Sequence, residues 1–225
     1  MFKVRCELIA FEADEEKFPC HFKYEIGDEI YFDGVYFTGR ICPGLFASMM
    51  PVVHGVYLLG YKFSENIMYR YRGHDVRDPS MEKYDGTGFR PANSPITGPP
   101  PKIADVMTFD SKTGRARGAH FLCADDRTLA HFSCVPIDLS DSEYAQPFYR
   151  RGVAILEKIE AEPGIQPKEI LHRFTDFERN EIGPVLTPVL LDVMLEALTD
   201  MKYIESREDG LCATGKEPPS RLKIG

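Results

Sequence analysis

The chain has 225 residues, 43% of them hydrophobic and 28% charged, with a formal net charge of −8. That balance excludes a disordered or fibrous chain and leaves room for one large domain, or for a domain with a smaller appendage. Residues 165–225 hold eight Lys and Arg against eleven Asp and Glu, so −3 falls there and −5 on residues 1–164. Neither part has the cationic surplus that binding a phosphate backbone requires.

Met1 to Leu8 alternates charged and apolar residues where an export signal needs an unbroken apolar run. The apolar stretches at 45–59 and 185–198 are interrupted by Pro51, His54, Pro188, Asp192 and Glu196. Neither reaches the roughly 20 apolar residues of a membrane span. The expectation is a soluble protein with no membrane partner. Its six cysteines include no C-x-x-C pair, which is neither a disulfide framework nor a zinc-finger spacing and points to reduced thiols in the cytoplasm.

In chain order, the period-2 alternation of Phe2 to Glu12 predicts a half-buried strand. Residues 28–32 and 35–37 flank Asp33-Gly34, which predicts a hairpin with a two-residue turn. Cys42-Pro43-Gly44 opens a helix over 44–58 with Leu45, Phe46, Met49, Met50 and Val53 on its apolar side, and Pro51 predicts a kink or an early stop. Residues 66–72 alternate as a strand, and 73–101 form a long Gly- and Pro-rich loop of the kind used as a lid or binding segment. Strands follow at 103–109, 117–123 and 128–135, then an amphipathic helix ending at Pro163-Gly164.

The last sixty residues read most clearly. Pro167 to Phe174 is a short helix, Thr175-Asp176-Phe177-Glu178 is a capping box, and Thr187-Pro188 caps a helix whose apolar stripe is Leu191, Met194, Leu195, Leu198 and Met201. Residues 203–205 and 211–213 then make a hairpin. Three helices and a hairpin, in that order, resemble a winged helix. The implied fold class is α+β: a β-rich domain over 1–164, then a winged-helix-like module over 165–225.

A winged helix presents its third helix to the DNA major groove. Here that helix offers Asp192, Glu196, Thr199 and Asp200, and the hairpin adds Glu205, Glu208 and Asp209 beside Arg207. Duplex DNA repels such a surface, so the module is read as packing on the first domain or forming a homodimer rather than binding nucleic acid.

The segment Phe18-Pro19-Cys20-His21 to Gly27-Asp28-Glu29, with Asp33-Gly34 and Gly39-Arg40-Ile41-Cys42-Pro43, resembles a family of short bacterial proteins of no assigned function. The resemblance covers about residues 1 to 75 and implies no chemistry; Cys20 is followed by His where that family has Pro.

No P-loop, dinucleotide fingerprint, H-E-x-x-H, G-x-S-x-G or EF-hand pattern occurs. The most informative constellation is His120 and His131. With Asp125-Asp126 as a two-residue turn, Ala124 pairs with Arg127 and His120 falls directly opposite His131, close enough to share a divalent metal, zinc or iron, or a substrate. Ala119, Phe121, Cys123, Ala130, Phe132 and Cys134 form the opposite, apolar face. The alternative is two ordinary strand histidines.

A third ligand is sought in His74, Asp75 and Asp78, with His74 and Asp75 also candidates for acid, base or orienting work, or else simply a polar turn. Arg70 and Arg72, with Tyr69, are candidates for binding a substrate anion, or form a solvated edge. Cys42, just ahead of its helix, is either a nucleophile or a structural cysteine, for want of a base nearby. His54, Tyr144, Tyr149, Arg150 and Arg151 have no distinguishing spacing. The reading is an enzyme of small-molecule metabolism, a metal-assisted hydrolase or lyase acting on a polar or carboxylated compound. The alternative is a ligand-sensing or partner-binding protein, its effector bound in the first domain.

Overall fold

The computed structural model describes residues 1–13, 15–66, 119–125 and 127–219. Their fold is mixed α+β around a five-stranded sheet in the order β3-β2-β1-β5-β4. Its strands are β1 (Phe2–Phe11), β2 (Glu29–Phe32), β3 (Phe37–Thr38), β4 (Ala119–Leu122) and β5 (Ala130–Leu139). β1 with β2, β2 with β3 and β4 with β5 are antiparallel. No helix among the described residues is long and apolar enough to cross a membrane. The chain divides into two compact units, one of Val4–Phe32 and Phe37–Pro136, the other of Met1–Lys3, Asp33–Tyr36 and Ile137–Gly225.

In the first of these units the alternation along β1 buries Val4, Cys6 and Leu8 and leaves Arg5 and Glu7 at half exposure, so the period-2 pattern sets one face toward the core. The hairpin after it forms, but through a longer loop than Asp33-Gly34 predicts, since Phe32 pairs with Phe37. The Asp33 carboxylate accepts hydrogen bonds from the N–H groups of Val35 and Tyr36, both at 2.8 Å. That side-chain turn widens the connection to four residues.

α1 (Pro43–Leu59) buries Leu45, Met49, Val53, Val56 and Tyr57 and packs on β4. It continues through Pro51, so the early stop that Pro51 could have imposed does not occur. Pro51 and Ala47 both lie on the exposed side, so the Ala47 carbonyl that loses its helical partner has water available. α2 (Tyr61–Asn66) follows. The strands expected at 66–72 and 103–109 and the loop expected at 73–101 lie outside the described residues, apart from Asn66, which ends α2.

The other unit carries α3 (Gln146–Ala161), α4 (Pro167–Ile170) with a 3-10 turn to Arg173, α5 (Asp176–Asn180), α6 (Pro188–Asp200) and the hairpin β6 (Ile204–Arg207) and β7 (Gly210–Ala213). Both caps form as read. Thr175 Oγ1 accepts from the Glu178 N–H at 3.2 Å and Glu178 Oε2 accepts from the Thr175 N–H at 2.7 Å, while Thr187 Oγ1 accepts from the Leu190 N–H at 3.1 Å. α3 packs on α6 and β7, and Ile165 bridges to Leu211, adding a third backbone segment to the hairpin. Tyr203 is fully buried and donates to Asp138 Oδ1 at 2.5 Å, and its burial and that bond push its pKa up.

Candidate functional site

β4 and β5 bring His120 and His131 together, though not in the expected register. His120 stands opposite Ser133 and Leu122 opposite His131. The connection is longer than an Asp125-Asp126 turn: Cys123 N–H donates to the Ala130 carbonyl at 2.9 Å, and the Asp125 carbonyl accepts from Thr128 and Leu129. Leu129 adopts φ 48°, which closes the turn. Because the offset amounts to two residues, both histidines keep the same face. They meet diagonally, with His120 Nδ1 3.2 Å from His131 Nε2 and ring centroids 5.3 Å apart. On the opposite face Phe121 stacks on Phe132, as the alternation predicts.

Both histidines are buried, at 7% and 2% exposure. A partner that sequence reasoning missed explains how the interior accepts them. Glu12 follows β1, and its N–H donates to the Leu129 carbonyl at 3.1 Å, which sets the end of β1 beside the start of β5. Its carboxylate, 8% exposed, lies 2.7 Å from His131 Nδ1. A carboxylate there fixes the tautomer: His131 donates through Nδ1–H and turns its Nε2 lone pair toward His120. In the neutral pair His120 then donates from Nδ1. Nothing local in the sequence marks Glu12, whose only signal is its place at the end of a well-patterned strand.

Two imidazole nitrogens bound to one tetrahedral zinc at about 2.0–2.1 Å each lie about 3.3 Å apart. The 3.2 Å separation therefore suits a shared ion as well as a shared proton. Among the described residues no group of three His, Cys, Asp or Glu is placed to hold a metal. The expected third ligands His74 and Asp78, the acid–base candidate Asp75, and the substrate candidates Tyr69, Arg70 and Arg72 all lie outside the described residues.

Other residues weighed in the sequence sort by contact. His54 is exposed on α1 and stacks near Tyr57 with centroids 6.3 Å apart. Tyr149 Oη donates to the Pro219 carbonyl at 2.6 Å, and Arg151 is buried with its guanidinium on backbone carbonyls. These are structural contacts. Cys42 occupies the N-cap of α1, buried, with its N–H donated to Tyr24 Oη at 2.9 Å. Comparison of the chain with protein-family models, with curated proteins and with solved structures finds no match.

Proposed function

We propose that the unit of Val4–Phe32 and Phe37–Pro136 is an enzyme of small-molecule metabolism, a metal-assisted hydrolase or lyase of a polar or carboxylated compound. His120 and His131 ligate a divalent ion, and Glu12 orients His131 from behind. The observation that carries this reading is the convergence of His120 Nδ1 and His131 Nε2 with the Glu12 carboxylate locked on the far nitrogen. A ligand histidine typically donates its other ring N–H to a carboxylate in this way. In this reading His74 or Asp78 completes the ligand set, Asp75 works beside it, and Arg70, Arg72 and Tyr69 take the substrate's anionic end. Six free cysteines fit a cytoplasmic setting.

The test is zinc uptake by the full chain, measured by elemental analysis after gel filtration and by competition with a chromophoric chelator. One zinc per chain is expected. It should be lost in His120→Ala and in His131→Ala, and bound about 10–100-fold more weakly in Glu12→Gln. Zinc bound equally by the wild type and by the double histidine variant would overturn the reading.

A second reading is favoured by α6. Val189 is 73% and Val193 44% exposed, one turn apart on a helix that also exposes Asp192. We infer that residues 165–225 are a winged-helix-like module whose third helix, α6, meets protein, a second copy of this chain, rather than DNA. Sedimentation of the full chain should show a dimer that Val189→Glu weakens at least tenfold. Steeply salt-dependent retention of random duplex DNA would overturn it.

A further inference from the structure

A second cluster of reactive side chains lies on the other face of the β4–β5 pair. Cys20, His21, Tyr24, Cys42, Cys123 and Asp125 line a pocket of about 40 Å³ whose accessible lining is apolar. Ala130, which also lines it, alternates with His131 along β5, so this pocket and the histidine pair occupy opposite faces. Three thiols from three separate parts of the chain and one imidazole meet here. Cys42 Sγ stands 4.0 Å from His21 Nε2, at the N-terminus of a 17-residue helix.

We propose that Cys42 and His21 form a thiol–imidazole pair that reacts with low-molecular-weight disulfides. The roles follow from what each group already holds. Cys123 Sγ accepts from the Ala130 N–H at 3.1 Å and donates to the Asp125 carbonyl at 3.5 Å, which occupies it. Cys6 and Cys134, 3.3 Å apart, are buried away from the pocket at 1% and 0% exposure. Cys42 is a pocket thiol with an imidazole nitrogen 4.0 Å from its sulfur, the feature absent from the sequence reading. Acyl transfer fits less well, because the Cys42 N–H that would serve an oxyanion is held by Tyr24 Oη. A disulfide needs no oxyanion donor, and its soft sulfur suits a small pocket lined by sulfur.

In the step, the Cys42 proton passes to His21 and the sulfur attacks one sulfur of the disulfide. A new S–S bond forms on Cys42, the old one breaks, and the leaving thiolate takes the proton from His21, so one disulfide and one thiol go to one mixed disulfide and one thiol. The charged neighbours are Asp125, held by the Arg127 guanidinium at 3.0 Å, and Arg40, stacked over Tyr24. His21 is exposed, so replacing it leaves the fold intact.

The experiment treats the full chain with hydroxyethyl disulfide and follows intact mass and the modified peptide. Cys42 is expected to take the first adduct, and Cys42→Ser to abolish it. His21→Gln should slow the adduct at least tenfold at about pH 7 and less than twofold at about pH 10, where thiols ionise unaided. A first adduct on another cysteine, or an unchanged neutral-pH rate in His21→Gln, would overturn the proposal. Zinc uptake at His120 and His131 is read separately, so either site can fail without the other.

Discussion

Replacing Arg151 with Met is expected to cost on the order of 4 kcal/mol of stability, read as a lowered urea midpoint at unchanged slope. Arg151 is 3% exposed on α3. Its Nη1 donates to the Glu178 carbonyl at 2.8 Å, and its Nη2 donates to the Pro184 carbonyl at 2.7 Å and to the Ile182 carbonyl. Those three acceptors lie at the end of α5 and in the loop that follows, where helix geometry leaves carbonyls without partners. Methionine fills similar volume but leaves all three unsatisfied, each costing about 1–3 kcal/mol where it stays dry. Arg151→Lys keeps the charge and loses the planar fork, so it should fall between the two. A Met variant within about 1 kcal/mol of wild type would mean that the guanidinium is not what holds this loop.

Local signals were legible and long-range ones were not. The capping box at Thr175, the Thr187-Pro188 start of α6 and the alternation of β1 each depend on a few adjacent residues, and each forms as read. The Asp33 and Asp125 turns show where local reading stops. Both aspartates were expected to sit in two-residue turns, and both instead extend the loop. Asp33 does so through its side chain, and Asp125 through a carbonyl that accepts from Thr128 and Leu129. Hairpin register follows loop length, so the His120–His131 pairing moved by two residues with the second of these.

The face of that pair survived because a two-residue shift preserves alternation, whereas a one-residue shift would have inverted it. The residues that give the histidines their chemical character are the distant ones. Glu12 reaches His131 across 119 residues of chain, and His21 reaches Cys42 across 21. Neither contact follows from spacing. Each depends on which strands become neighbours in the sheet and on where α1 begins, and tertiary packing decides both.

Gly210→Ala is expected to lower stability by about 3 kcal/mol or more. Read from sequence, Arg207-Glu208-Asp209-Gly210 joins the strands of a hairpin and Pro163-Gly164 is a helix stop, two unrelated breaks. The structure joins them. Gly164 N–H donates to the Leu211 carbonyl at 2.9 Å and Leu211 N–H to the Ile165 carbonyl at 3.0 Å, so the segment after α3 lies directly on β7. A Cβ at Gly210 would stand 2.1 Å from the Gly164 carbonyl oxygen, 2.6 Å from its carbon and 2.8 Å from the Ile165 oxygen, all of them backbone. Its φ of 137° adds strain for any L side chain. Gly215, with φ 81° and nothing within 4 Å, separates the two effects: Gly215→Ala should cost only about 1 kcal/mol from conformation. Equal losses in the two variants would mean that backbone conformation, and not the approach of residues 164–165, sets the demand for glycine. A larger loss at Gly210 ties the hairpin to α3, and α6 with it, since α3 packs on both α6 and β7.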